Sequence, residues 1–341
     1  MIAPADLEHC RAAIRHGSLS FHAASRLLPG RVRDPALVLY AFCRLADDEV
    51  DEGADEVRAV LRLRDRLDRV YAGRPLDAPE DRAFCAVVEA FDMPRTLPEA
   101  LLEGLAWDAQ GRRYRSLGEL NAYGARVAAA VGAMMCVLMR VRDADALARA
   151  CDLGVAMQLT NIARDVGEDA AMGRVYLPLD WLEEAGLSPE ALLTLRGPDP
   201  RVAALVRRLL AEAGRLYARS EAGIAALPLT ARPGIFAARH VYAAIGGRIA
   251  RAGHDSLTRR ARTGRARKAA LLGLSAARAG ASVVLPRSPR LFAPPLPEVR
   301  FLVDAAARGA PRSDWGTGRT GAVLSILADL KRREDGAPLG G

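Results

Sequence analysis

The stretch Cys151–Pro178, CDLGVAMQLTNIARDVGEDAAMGRVYLP, limits what this chain can become more than any other segment. Leu153, Val155, Met157, Leu159, Ile162 and Val166 spread apolar side chains over several sides of a helix, and a helix apolar nearly all round is buried. One polar stripe runs through it at steps of three and four: Gln158, Asn161, Asp165 and Asp169. Two like-charged carboxylates on a buried helix are costly unless a cation or arginine partners compensate them. The fold must therefore bring to this stripe either a polar network built with Arg164 or Arg174, or a metal.

A second acidic cluster favours the metal. In YAFCRLADDEVDEGADE, from Tyr40 to Glu56, seven of the last ten residues are acidic. Tyr40, Arg44, Asp47, Asp48 and Asp51 share one helical face beside the apolar stripe Leu39, Cys43, Ala46 and Val50. By itself this is equally a solvated acidic face. Mg²⁺ prefers octahedral oxygen ligation and is held by one or two carboxylates plus substrate phosphates. Two acidic helices facing each other could hold several Mg²⁺ ions, or Mn²⁺, around a diphosphate.

The rest of the chain reads as all-α. Ala, Leu and Arg, all strong helix formers, abound, and no stretch alternates apolar and polar residues over strand length. Pro35 stands where a first helical turn would allow it. Further helices are expected near 55–72, 80–91, 97–110, 117–140, 144–168, 199–226 and 234–252. There is no internal repeat. A proline-rich stretch, LPRSPRLFAPPLPEV, marks a composition shift, so one domain is expected over 1–285, followed by an irregular or partly helical tail over 286–341.

Several classes of function find little support. The formal net charge is +8, but Lys268 and Lys331 are the only lysines, an arginine bias that a GC-rich genome would also produce. No zinc finger, RNP motif or basic stretch interleaved with aromatics is present, so no nucleic-acid partner is expected. The five cysteines form no CxxC, which fits a reduced, cytoplasmic protein. No signal-peptide pattern opens the chain. The apolar run Val127–Met139 is too short to span a bilayer, although a peripheral membrane contact remains open. GTGRTG at 316–321 fits GxGxxG, but no strand pattern precedes it and twenty residues follow, so no dinucleotide-binding unit is expected. The five histidines show no metal-ligand spacing.

Four stretches, GSLSFHAASRLLP, YAFCRLADDEVDE, YGARVAAAVGAMM and QLTNIARDVGEDAAMGRVYLP, carry a close resemblance to the squalene/phytoene synthase family, and in particular to its bacterial phytoene-forming members. The resemblance covers about residues 10–285. The paired motifs DDEVD and DVGED carry it together; either alone would be only suggestive. It implies an isoprenoid-synthase-type helical bundle around a central cavity. It also implies Mg²⁺-dependent head-to-head condensation of two geranylgeranyl diphosphates through a cyclopropylcarbinyl diphosphate to phytoene. No nicotinamide is expected, because that reaction ends in proton loss. Contact with neighbouring carotenoid enzymes is a further implied possibility. Relatives that use C15 substrates, making squalene, presqualene diphosphate or diapophytoene, stay open, as does a non-catalytic binding protein of the same fold.

The resemblance also implies roles for individual residues. Asp47, Asp48, Asp51, Asp165, Asp169, Tyr123 and Tyr242 are implied to be catalytic, and Asp47, Asp51, Asn161, Asp165 and Asp169 to hold metal. Ser18, Ser20, Arg44, Gln158, Asn161 and Arg164 match diphosphate-binding positions. Phe21, Tyr40 and Tyr176 match aromatic positions near the substrate, and Val127 and Gly132 match lipid-pocket positions. Ser18 and Ser20 would serve equally as helix caps. Arg248–Lys268 holds eight basic residues and one acid; Arg259 or Arg260 is implied to approach the diphosphates, and a solvated or membrane-facing patch is the alternative.

Overall fold

The computed structural model describes residues 2–51, 56–286 and 288–308; the side chains of Ser20 and Asp51, and all of Asp55 and the 316–321 glycine motif, lie outside the described residues. Among the described residues there are helices and no strands. The first half of the chain forms α1 (Pro4–Gly17), α2 (Leu19–Ser25), α3 (Gly30–Asp51), α4 (Glu56–Tyr71), α5 (Pro79–Phe91) and α6 (Thr96–Ala109). Then α7 (Leu117–Gly124) runs through a π-helical turn, Ala125–Ala129, into α8 (Ala130–Leu138). The 28-residue α9 (Ala144–Ala171) follows, then α10 (Leu179–Glu184) and α11 (Pro189–Thr194). The second half is completed by α12 (Pro200–Ile224), α13 (Arg232–Arg251) and α14 (Arg265–Val284). After two 3₁₀ turns, Pro289–Phe292 and Pro297–Val299, comes α15 (Arg300–Ala307).

The central element is α9. Asp143 caps its start by accepting a hydrogen bond from the Ala146 N–H at 2.9 Å. It packs against α12, α8, α13, α15 and the π turn, which explains why its sequence is apolar on several sides. Where it crosses the π turn, the two backbones nearly touch. A Cβ on Gly154 would lie 2.5 Å from the Ala129 Cα and 2.7 Å from the Ala128 carbonyl oxygen. Backbone cannot yield as a flexible side chain can. Gly154→Val should therefore destabilise the protein by roughly 1–3 kcal/mol, read as a lower urea midpoint, with the far-UV spectrum of the folded fraction unchanged.

Two expectations change. Pro35 lies inside α3, not in its first turn, because α3 begins at Gly30; a single lost hydrogen bond in the second turn is tolerated within a 22-residue helix. The apolar run expected to be too short for a membrane is part of a longer helical stretch, Leu117–Leu138, whose length and composition would suffice. It packs against α6 and α9, and 56% of its most apolar window is buried, the situation of a core helix. Within the tail expected to be irregular or partly helical, residues 289–307 fold back onto the body: Leu291, Val299, Leu302, Val303 and Ala306 are all buried, with α15 against α6, α8 and α9.

The cap of α12 supplies a pH-dependent test of stability. The Asp199 carboxylate accepts from the N–H groups of Arg201 and Val202 and from the Arg201 guanidinium, which hold its pKa down from 3.8 to about 2. A depressed carboxylate stabilises the fold above its unfolded pKa and loses that contribution as the pH falls towards the folded value. Asp199→Ala should thus cost about 1 kcal/mol at neutral pH. Urea midpoints of the variant and wild type should converge as the pH drops from 3.8 towards about 2.

Candidate active site

One face of α9 lines a cavity of about 600 Å³ from end to end: Ala146, Arg149, Ala150, Leu153, Gly154, Met157, Gln158, Asn161 and Arg164 follow one another at helical spacing. The opposite walls come from α1–α3, the π turn and α8, α12 and α13. The cavity is chemically two-ended. Near the C-terminal half of α9 it is polar, with Arg44, Asp47, Gln158, Asn161, Arg164 and Arg260. Towards the N-terminus of α9 it is mostly apolar, with Met135, Met139, Leu153, Ile224 and Leu227 among its lining.

Most residues singled out from sequence meet here. Ser18, Phe21, Tyr40, Arg44, Asp47, Val127, Gly132, Gln158, Asn161, Arg164 and Tyr242 all line the cavity. Ser18 also caps α2, its hydroxyl accepting from the Phe21 N–H at 3.2 Å, as the capping alternative expects. Phe21, Tyr40 and Tyr242 form an aromatic group between the two ends, with ring centroids 5.3 Å (Phe21–Tyr242) and 6.4 Å (Phe21–Tyr40) apart. Burial pushes the Tyr242 phenol up to about 12, so it stays protonated and presents a neutral ring. Such faces stabilise a cation without trapping it as a nucleophile.

Other residues fall elsewhere. Asp48 turns away from the cavity to an outer recess with His16, Glu49 and Arg62, where it pairs with Arg44 at 2.5 Å. The cavity face of α3 is Leu39, Tyr40, Cys43, Arg44 and Asp47, so Asp48 lies just beyond the part of the helix that faces inward. Tyr123 and Tyr176 do not line the cavity. Their rings stack with centroids 5.3 Å apart, and both hydroxyls donate to Asp108 at 2.8 Å. Burial raises both phenols, and the nearby Asp108 raises them further.

Asp165 and Asp169 sit beside the polar end of the cavity. Asp165 is held by Arg164 at 2.5 Å and by Arg260 at 3.0 Å, and Arg260 also reaches Glu168 at 2.9 Å. Of the two candidate arginines in the basic segment, then, Arg260 reaches the acidic stripe. The glycine of DVGED makes that possible. The Gly167 N–H donates to the Ser256 carbonyl at 2.9 Å, and a Cβ there would lie 2.2 Å from the Leu257 carbonyl oxygen. Only a glycine lets the 256–257 backbone approach α9 closely enough to deliver Arg260.

The donor set fits a hard divalent cation. Asn161 Oδ1 is buried at the polar end with no hydrogen-bond partner, an oxygen suited to a metal. Burial, then the charge of Asp165, pushes the Asp169 carboxyl up to about 7. Among the described residues no three histidines, cysteines or acids converge into a ready-made metal cluster. Sparse protein oxygens of this kind suit an ion shared with phosphate oxygens.

Sequence reasoning missed Asp108 and Arg149. Asp108 lies in the last turn of α6, where the helix dipole disfavours a carboxylate, and that misplaced charge was the available signal. Arg149 with Asp152 was visible as an i,i+3 ion pair on a helix otherwise apolar nearly all round.

Comparison with known proteins places the chain among relatives of one family. A family profile described as squalene/phytoene synthase matches residues 14–267. The phytoene synthase of Cereibacter sphaeroides is 62% identical over 344 aligned residues, covering 98% of this chain and 96% of the relative. That of Rhodobacter capsulatus is 59% identical, covering 98% and 99%. Among solved structures, a ligand-bound dehydrosqualene synthase superposes with a TM-score of 0.75 at 30% identity, covering 81% of this chain and 97% of its own. A squalene synthase from Alicyclobacillus acidocaldarius gives a TM-score of 0.68 at 25% identity, covering 73% and 95%.

Proposed function

The chain belongs to the squalene/phytoene synthase family, and on that ground we propose that it joins two geranylgeranyl diphosphates head to head to make phytoene, the first committed step of carotenoid biosynthesis. It has the all-α isoprenoid-synthase-type bundle of its solved relatives. The observation that carries the proposal is the two-ended cavity: a polar, arginine-rich end beside the acidic stripe continues into an apolar tunnel along α9. An allylic diphosphate has the same division between a charged head and a hydrocarbon tail.

The residues divide the work accordingly. Arg44, Arg164 and Arg260 offer guanidinium forks that match phosphate oxygens. Asp47, Asn161, Asp165 and Asp169 would hold Mg²⁺, with Asp51 as a further candidate from sequence alone. When bound, Mg²⁺ neutralises charge on the departing diphosphate. Phe21, Tyr40 and Tyr242 face the place where positive charge develops once the carbon–oxygen bond breaks. The tunnel walls exclude water that would otherwise quench the cation. The second substrate's double bond then attacks, and loss of a proton closes the ring of the cyclopropylcarbinyl diphosphate; departure of the second diphosphate, rearrangement and loss of a second proton yield phytoene.

Incubation of purified protein with geranylgeranyl diphosphate and Mg²⁺ should give phytoene as the product. Reduced nicotinamide should change neither rate nor product, and farnesyl diphosphate should compete poorly. A squalene product that requires reduced nicotinamide, with farnesyl diphosphate preferred, would overturn the assignment.

A further inference from the structure

At the apolar end, the cavity lining reaches Arg149, which belongs to a mostly buried ion cluster. Arg149, on the cavity-lining face of α9, has no exposed surface. It pairs with the equally buried Asp152 at 2.9 Å. From α12, Arg219 reaches the same Asp152 oxygen at 3.0 Å. The two arginines then take hold of the chain beyond α14. Arg149 donates to the carbonyls of Arg290 at 2.7 Å and Pro294 at 3.5 Å, and Arg219 donates to the Pro294 carbonyl at 2.8 Å. Segment 290–294 is thereby tied to α9 and α12 beside the cavity-lining Arg149, with Leu291 seated in the core.

We propose that the Arg149–Asp152–Arg219 cluster and the 290–294 segment it holds form the end wall of the prenyl tunnel, and that this wall sets the longest chain the enzyme accepts. The proposal rests on reading the cavity as a prenyl diphosphate site. Distance supports it. Arg149 lies twelve residues along α9 from Asn161 and fifteen from Arg164, or about 18 and 22 Å at the helical rise. A geranylgeranyl chain, extended at roughly 1.3 Å per bond over about 16 bonds, spans about 20 Å, and a farnesyl chain about 15 Å. A C20 chain with its diphosphate at Asn161 and Arg164 ends at Arg149, a C15 chain stops short, and a C25 chain meets the wall.

Rigidity gives this wall its discriminating power. A wall of methionine or leucine side chains can repack around an extra isoprene unit. The Arg149 guanidinium cannot turn aside without leaving the Arg290 carbonyl without its donor and taking its own buried charge away from Asp152. Its stem is pinned as well, since it packs directly against the Gly223 backbone of α12.

The test uses purified full-length protein and the ratio of kcat/KM for geranylfarnesyl (C25) over geranylgeranyl (C20) diphosphate. Arg149→Ala should raise that ratio about tenfold or more, since pockets distinguish even single methylenes by such factors. Arg219→Ala, which loosens the clamp from the partly exposed side, should shift it in the same direction but less. An unchanged ratio in folded Arg149→Ala overturns the proposal; should that variant not fold, an unchanged ratio in Arg219→Ala does so. Wild-type protein inactive on every prenyl diphosphate would instead refute the proposed function, so the two failures are distinguishable.

Discussion

Asp165→Asn/Asp169→Asn should lower turnover on the order of 10²-fold or more, roughly 2.7 kcal/mol of lost transition-state stabilisation, while the helical fold persists. Asparagine nearly matches aspartate in shape, but it removes the charge a divalent ion requires. Asp47→Asn should have a similar effect, because Asp47 lines the polar end of the cavity. Asp48→Asn should be milder, because that carboxylate faces the outer recess and pairs with Arg44. Asp55→Asn, outside the motif positions matched to the family, should be close to neutral. EDTA should abolish activity and Mg²⁺ restore it. Full turnover in EDTA, or in the double variant, would refute the metal site; equal losses at Asp47 and Asp48 would refute the division of the α3 face.

Asp108→Leu should cost about 2–4 kcal/mol of stability, because two tyrosine hydroxyls would be left without their acceptor in a buried site. Tyr123 is 4% exposed, so water cannot readily replace the carboxylate there. Removing the hydroxyls as well should reverse much of the loss: Asp108→Leu/Tyr123→Phe/Tyr176→Phe should be more stable than Asp108→Leu alone. An apolar set without unmet hydrogen bonds costs less than a half-satisfied network. Chemical denaturation of the series checks this. If the triple variant is no more stable than the single one, these hydrogen bonds are not what Asp108 contributes.

The chain alone determined those features that depend on local periodicity. The burial of α9, its polar stripe, the second acidic helix and the all-α class follow from side chains three and four positions apart, and helical geometry is the same in every context. Tertiary structure decided what periodicity leaves open. Asp47 and Asp48 are consecutive and point about 100° apart around α3, and which of them faces the cavity is set by how α3 is rotated against its neighbours. Partners remote in the chain are equally invisible beforehand: Arg260 reaches Asp165 across 95 residues and Arg149 reaches the Arg290 carbonyl across 141. The charge of Asp108 in the last turn of α6 was a visible oddity, but that it accepts from both Tyr123 and Tyr176 became visible only once α6 was folded against them. These contacts join segments that no local rule connects, and only the packed core brings them together.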